Sequence, residues 1–121
     1  MQGERAAGKC ILVAEDEFLV AVAIEQTLDS LGYTVIGPFS DLAEATAAAT
    51  RERVDTAVLD INLRDGKVYP LAEHLHRQGI PVVFTTGYEM SDVPERFRVF
   101  ECLRKPVSAR TLKEAVRLML D

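Results

Sequence analysis

Several apolar runs in this chain stop abruptly at residues that can do chemistry. Ala57-Val58-Leu59 ends at Asp60, and Cys10 to Ala14 ends at Glu15-Asp16-Glu17. Ile80 to Thr85 leads into Thr86-Gly87-Tyr88, and Val99 to Leu103 leads into Arg104-Lys105-Pro106. A charge straight after a buried strand is costly unless it lies at the strand's open end. In an open parallel α/β sheet that end is the ligand-binding edge. Glu15, Asp16, Asp60, Thr86 and Lys105 would then share one edge: three carboxylates, a hydroxyl and an ammonium. Carboxylates packed together repel, so either a pKa rises or a cation neutralises them. A hard divalent ion with oxygen ligands answers that need, and Mg²⁺ suits a few carboxylates plus water and phosphate. With the ion and Lys105 in place, the edge can hold an incoming dianion, to which Thr86 can donate a hydrogen bond. A carboxylate that attacks phosphorus forms an acyl phosphate. A metal ion and a lysine would stabilise the charge on the transferring oxygens.

The elements that must position these groups can be traced along the chain. Residues 1–8 carry Gly, Ala and charge without periodicity and read as a loose N-terminal tail. After the first strand and its acidic turn, Val20, Ile24, Thr27, Leu28 and Leu31 recur at helical spacing, with Gly32 as the stop. Glu17 is expected to cap this helix, where negative charge suits the dipole. Tyr33 to Ile36 forms a short strand that Gly37-Pro38 should end. Asp41 and Glu44 have capping-box spacing, which opens an Ala-rich helix to about Arg53. Thr56 to Leu59 is the third strand, and Arg64-Asp65-Gly66-Lys67 a turn-prone loop to which Asp65 belongs. Val68, Leu71, Ala72 and Leu75 mark the next helix, which Gly79 ends. Pro81 stands at the start of the fourth strand. Asp92 to Arg98 offers only a short, weakly periodic helix before the fifth strand, Val99 to Leu103. Ser108 is placed to cap a last helix with the stripe Leu112, Ala115, Val116 and Met119. Strand and helix thus alternate five times, which implies a parallel sheet covered by helices on both faces.

Composition narrows the classes of function. The 121 residues fit one domain, 9–121 beyond the tail, able to form a core without disulfides or metal staples. A net charge of −5 argues against nucleic acid as a partner but not against a cation. No apolar run approaches the ~20 residues of a membrane span, and there is no apolar core of a secretory signal. A cytoplasmic location is expected, with no membrane partner. Cys10 and Cys102 form no CxxC pair and are expected to be free buried thiols. His74 and His76 are two apart and cannot share a helix face, so they read as solvated histidines and not as a metal pair. Neither GxGxxG nor GxxxxGK[ST] occurs.

The pieces Ile11-Leu12-Val13-Ala14-Glu15-Asp16-Glu17, Val58-Leu59-Asp60, Pro81-Val82-Val83-Phe84-Thr85-Thr86-Gly87 and Lys105-Pro106, in this order and strand context, resemble the response-regulator receiver domain of two-component signalling. The resemblance covers about residues 9–120. It implies a flavodoxin-like (βα)5 fold, a doubly wound parallel five-stranded sheet of order 2-1-3-4-5, the order that receiver proteins share. That order puts two strands between Cys10 and Cys102. It implies that Asp60 is the phosphoacceptor and that Asp16 is a direct Mg²⁺ ligand, with Glu15 helping directly or through water. Asp60 itself and the backbone carbonyl of Asn62 would complete the protein's metal ligands. Thr86 would be the switch hydroxyl, with Lys105 and Gly87 at the phosphoryl group, and Pro106 would hold the lysine loop, usually through a cis peptide. The donor would be a sensor histidine kinase or a histidine phosphotransfer protein of a phosphorelay. The output would be a change in contacts with a downstream protein, homodimerisation being left open. Because the chain stops right after the last helix, that readout would lie in another protein or in a part of this one missing here.

Departures from the family pattern are informative. The position three before Lys105, often an aromatic rotamer switch in the family, is Cys102, so Tyr88 stands as the candidate mobile aromatic. Phe97-Arg98-Val99-Phe100-Glu101 replaces the usual Gly-Ala before the last strand. The face built from the fourth helix, fifth strand and fifth helix is accordingly expected not to be the standard dimer face. Phe84-Thr85-Thr86-Gly87-Tyr88 and Val68-Tyr69-Pro70-Leu71 resemble a subgroup found in alphaproteobacterial single-domain regulators and hybrid-kinase receivers. Two other functions compete with the signalling switch. A small Mg²⁺-dependent phosphatase with an Asp nucleophile would want a second acid two residues on, where Asn62 cannot protonate a leaving group. A receiver-fold binding module that works without phosphorylation would be expected to lose part of a site that is intact here. On either of the non-phosphatase readings the chain is not an enzyme beyond assisting its own phosphotransfer and dephosphorylation.

Overall fold

The computed structural model describes residues 8–87 and 93–120. In chain order the elements are β1 (Cys10–Ala14), α1 (Phe18–Ser30), β2 (Thr34–Phe39), α2 (Leu42–Arg51), β3 (Thr56–Asp60), β4 (Asn62–Leu63), β5 (Gly66–Lys67), α3 (Tyr69–Arg77), β6 (Val82–Thr86), a 3₁₀ turn (Glu95–Phe97), β7 (Glu101–Arg104) and α4 (Ala109–Leu120). Five strands form one parallel sheet in the order β2-β1-β3-β6-β7, which is the expected 2-1-3-4-5. The short strands β4 and β5 make a separate antiparallel hairpin straight after Asp60.

Strand pleating sorts the side chains into two layers. Leu12, Leu59 and Phe84 face Ala45, Ala48, Leu71 and Leu75 of α2 and α3. Ile11, Val13, Val58 and Val83 face Ile24 and Leu28 of α1 and Leu112 and Val116 of α4. The three central strands are therefore apolar on both sides, as a covered parallel sheet requires. The alanines of α2 bring that helix close to the sheet. At the end of α1, Gly32 takes φ 89°, and the N–H groups of Gly32 and Tyr33 reach back to Asp29 and Leu28, a Schellman closure. Asp41 caps α2 by accepting from the Glu44 N–H at 2.7 Å, and Ser108 Oγ accepts from the Thr111 N–H at 3.1 Å ahead of α4.

Three expectations change. The second strand does not stop at Gly37-Pro38 but runs through it to Phe39, with a bulge opposite β1. It is an edge strand, so the missing proline N–H costs no ladder bond. Gly37 makes the bulge possible: its φ is 108°, and a Cβ there would lie 2.7 Å from the Val13 carbonyl. The Arg64–Lys67 segment is not a plain loop: Arg64-Asp65 is the turn of the β4–β5 hairpin and Gly66-Lys67 is its second strand. In the fourth crossover the described residues form only the 3₁₀ turn, and the fifth strand starts at Glu101. Pro94 opens that turn, which closes after Phe97 has reached the core. The expected tail lies outside the described residues except for Gly8, as do Tyr88 and Asp92. Both cysteines are free and half-buried. His76 stands against the Phe100 ring, centroids 5.1 Å apart. No helix among the described residues is long and apolar enough to cross a membrane.

Candidate functional site

The C-terminal ends of β1, β3, β6 and the turn after β7 meet at one place. Each is anchored by backbone hydrogen bonds before its side chain is used. The Glu15 N–H donates to the Phe39 carbonyl at 2.9 Å, so the acidic turn hangs on the far end of the edge strand. The Glu17 N–H returns to Glu15 Oε2 at 3.0 Å and tightens that turn. Asp60 pairs in register with Thr85, and the Ile61 N–H continues the ladder to the Thr85 carbonyl at 3.0 Å. The Asn62 N–H donates to Asp60 Oδ1 at 3.1 Å, which fixes the rotation of that carboxylate. The Lys105 N–H donates to the Thr86 carbonyl at 2.8 Å and ties the lysine loop to the end of β6. Lys105-Pro106 is cis, as the family resemblance implied.

On this frame the Lys105 ammonium lies among three carboxylates. It donates to Glu15 Oε2 at 3.0 Å, Glu17 Oε1 at 2.8 Å and Asp60 Oδ2 at 2.9 Å. Burial works against the charged lysine, but the bonds to Glu17, Asp60 and Glu15 outweigh it and raise its pKa. The carboxylates respond in the opposite sense to crowding. Desolvation, with the charge of Asp60 beside it, pushes the Glu15 carboxyl up to about 7, against the bonds to the Glu17 N–H and Lys105. Desolvation and the Asp60 charge also raise Asp16. One ligand oxygen from each of Glu15, Asp16, Glu17 and Asp60 can be chosen so that all lie within 4.8 Å of one another. Four carboxylates thus face one ammonium, a set short of positive charge. Glu15 Oε1 is buried and has no hydrogen-bond partner. An all-oxygen donor set with an unsatisfied buried carboxylate oxygen fits a hard divalent cation such as Mg²⁺.

The structure brings together Glu15, Asp16, Asp60 and Lys105 as expected. Thr86 is buried at the end of β6, and exposed Gly87 follows it. Asn62 follows Asp60 closely enough for its backbone to share the site. Tyr88 lies outside the described residues. Glu17 corrects the reading of it as a capping side chain. It occupies the N-cap position of α1 but its carboxylate caps nothing and binds Lys105 instead. A charge-assisted bond to an ammonium wins over exposed helix N–H groups that water can satisfy. Asp65 was legible only as a turn residue, yet it accepts from the Leu42 and Ala43 N–H groups at 2.5 and 3.1 Å and so caps α2 from the hairpin. These bonds, led by that from Leu42, lower its pKa. Arg64 adds a guanidinium bond to Ser40 Oγ at 2.7 Å, and Lys67 binds the Asn62 carboxamide oxygen. The segment behind the acceptor strand is thereby clamped to the start of α2. Where the family often has an aromatic, Cys102 sits half-buried. The aromatic mass lies elsewhere: Tyr69 stacks on Phe97, centroids 4.6 Å apart, and Phe84 meets Tyr69, Phe97 and Phe100 edge-on.

Comparison with known proteins places the chain by family and fold. The sequence profile described as "Response regulator receiver domain" matches residues 11–117. The solution structure of SdrG from Sphingomonas melonis Fr1 superposes with a TM-score of 0.82 at 38% identity, over 96% of this chain and 98% of that one. Transcriptional regulatory protein PdtaR of Mycobacterium tuberculosis is 29% identical over 98% of this chain. Phyllosphere-induced regulator PhyR of Methylorubrum extorquens is 36% identical over 72% of this chain. The aligned part is 60% of the length of PdtaR and 32% of that of PhyR.

Proposed function

The chain belongs to the response regulator receiver domain family of two-component signalling, and from that premise we propose that Asp60 is its phosphoacceptor. The donor is a phospho-histidine on a sensor kinase or a phosphotransfer protein. An Asp60 carboxylate oxygen attacks phosphorus, the P–N bond breaks with its electron pair passing to the imidazole nitrogen, and an acyl phosphate forms. Lys105 meets the charge on the phosphoryl oxygens, and Thr86 turns its hydroxyl to them. Gly87, which carries no side chain, leaves the approach open. Asp16, Asp60 and the Asn62 carbonyl, with Glu15 beside them, would hold Mg²⁺, which when bound neutralises the crowded carboxylates and the transferred group. Pro106 sets the course of the lysine loop. The observation that carries this reading is the Asp60–Lys105 contact at 2.9 Å inside the four-carboxylate cluster.

The output is a population shift. The phosphoryl group draws Thr86 and Lys105 inward, the loops after β3, β6 and β7 follow, and a downstream protein with higher affinity for that state reads it. PdtaR and PhyR are both named as regulators, which supports a regulatory output here. Intact mass after incubation with acetyl phosphate and Mg²⁺ tests the chemistry. Wild type should gain one phosphoryl group, and Asp60→Asn or wild type with EDTA should gain none. A gain that survives Asp60→Asn would refute the assignment of the acceptor.

A further inference from the structure

The hairpin after Asp60 holds a side-chain contact that the phosphotransfer step leaves unused. Its two-residue turn makes Leu63 and Gly66 the first cross-strand pair, and Asn62 stands opposite Lys67 in the next. The Val68 N–H donates to the Ile61 carbonyl at 2.9 Å, so the pair after that is bonded through the backbone. Bonded and unbonded pairs alternate along an antiparallel ladder, which leaves Asn62 and Lys67 as an unbonded pair, where side chains lie closest. The Asn62 N–H is accordingly turned out of the hairpin and donates to Asp60 Oδ1 at 3.1 Å. The Lys67 ammonium donates to the Asn62 carboxamide oxygen. Asn62 is half-buried and Lys67 exposed, so this contact lies on the water-facing side of the acceptor.

A carboxamide has two unlike edges, an oxygen that accepts and an NH₂ that donates. An ammonium only donates, so Lys67 holds the oxygen edge and the NH₂ edge is turned away from it. The edge that meets water bears on how an acyl phosphate at Asp60 is lost. In hydrolysis a water oxygen bonds to phosphorus, the P–O bond to Asp60 breaks with its electron pair returning to the carboxylate, and inorganic phosphate leaves with both protons of the water. The attacking water must aim a lone pair at phosphorus and give its protons to acceptors. The oxygen edge of Asn62 would supply such an acceptor beside Asp60, whereas the NH₂ edge would compete for the lone pair. Resting on the reading of Asp60 as phosphoacceptor, we propose that Lys67 is a positioning residue that prolongs the acyl phosphate by holding the Asn62 carboxamide oxygen away from the hydrolytic water. The effect is that of one hydrogen bond, about two- to tenfold in rate.

The test is the decay of the phosphorylated full chain at saturating Mg²⁺, followed by intact mass once acetyl phosphate has been removed. Lys67→Met, an unbranched side chain without a donor, should lose the phosphoryl group about two- to tenfold faster than wild type. Lys67→Arg can still donate to the carboxamide and should decay at the wild-type rate. In an Asn62→Ala background, Lys67→Met should change the rate no further. Unchanged or slower decay of Lys67→Met overturns the proposal, as does fast decay of Lys67→Arg. An equal acceleration in the Asn62→Ala background also overturns it, because the ammonium would then act by charge alone. Wild type that gains no phosphoryl group would instead overturn the acceptor reading on which the proposal rests.

Discussion

Glu15 should make this protein less stable as pH rises. Its carboxyl moves from 4.5 to about 7 on folding, chiefly because burial penalises the ionised form. A pKa raised in the folded state means that the folded chain binds more protons. The stabilisation is complete below the unfolded value and is lost as pH climbs through the folded one. Between about pH 5 and about pH 8 this shift corresponds to roughly 2 kcal/mol, allowing for screening at the open rim where Asp16 and Glu17 meet water. Asp16 is shifted in the same direction and adds to the slope. Lys105 is raised above 10.5, so its contribution is already complete throughout this window and stays level. Asp65 is lowered from 3.8, so its contribution is lost only in more acidic solution. Urea unfolding in EDTA across the window should show wild type falling by about 2 kcal/mol. Glu15→Gln should remove most of that slope and be the more stable protein at the alkaline end, since its carboxamide oxygen can still accept from the Glu17 N–H. Saturating Mg²⁺ should flatten the wild-type profile by neutralising the carboxylates. Wild-type stability that is level or rises with pH in EDTA, or a Glu15→Gln variant that keeps the full slope, would show this reasoning to be wrong.

Other residues lend themselves to the same treatment. Thr85 is fully buried and its hydroxyl has no partner, so Thr85→Val should be neutral or stabilise by about 1 kcal/mol in urea unfolding. Phe97 plugs the 3₁₀ turn into the core against Tyr69 and Phe84, and Phe97→Ala should cost about 3 kcal/mol by the same assay. Asp65→Ala removes two bonds from the first turn of α2, so the urea midpoint should fall with no change in the slope of the transition.

What could be read from the sequence depended on how local the signal was. Asp60 and Lys105 were legible because each ends an apolar run, and a parallel sheet brings such ends to one edge without further information. The caps at Asp41 and Ser108 were legible because their partners lie three residues away. Asp65 was not, because the N–H groups it caps are 22 and 23 residues back along the chain. The side chain of Glu17 was misread because a lysine 88 residues away competes for it. Gly37-Pro38 looked like a strand end because those residues usually break a ladder. Only the edge position of β2, a property of the whole sheet, makes them tolerable. Cys102 showed that an aromatic was missing from its position, but not that Tyr69, Phe84, Phe97 and Phe100 gather in one cluster beside it.

The bulge at Gly37 has a consequence for anyone wishing to transplant this pocket. The acidic turn is held at its root by the Phe39 carbonyl, and Phe39 arrives opposite Ala14 only because the edge strand takes up an irregularity at Gly37. The rim strand therefore works as a spacer block that sets the height of Glu15 above the sheet, although it contributes none of the chemistry. Copying the acids, the acceptor and the lysine onto another five-stranded scaffold would leave the first carboxylate without its rest. Residues 37–39 would have to travel with them.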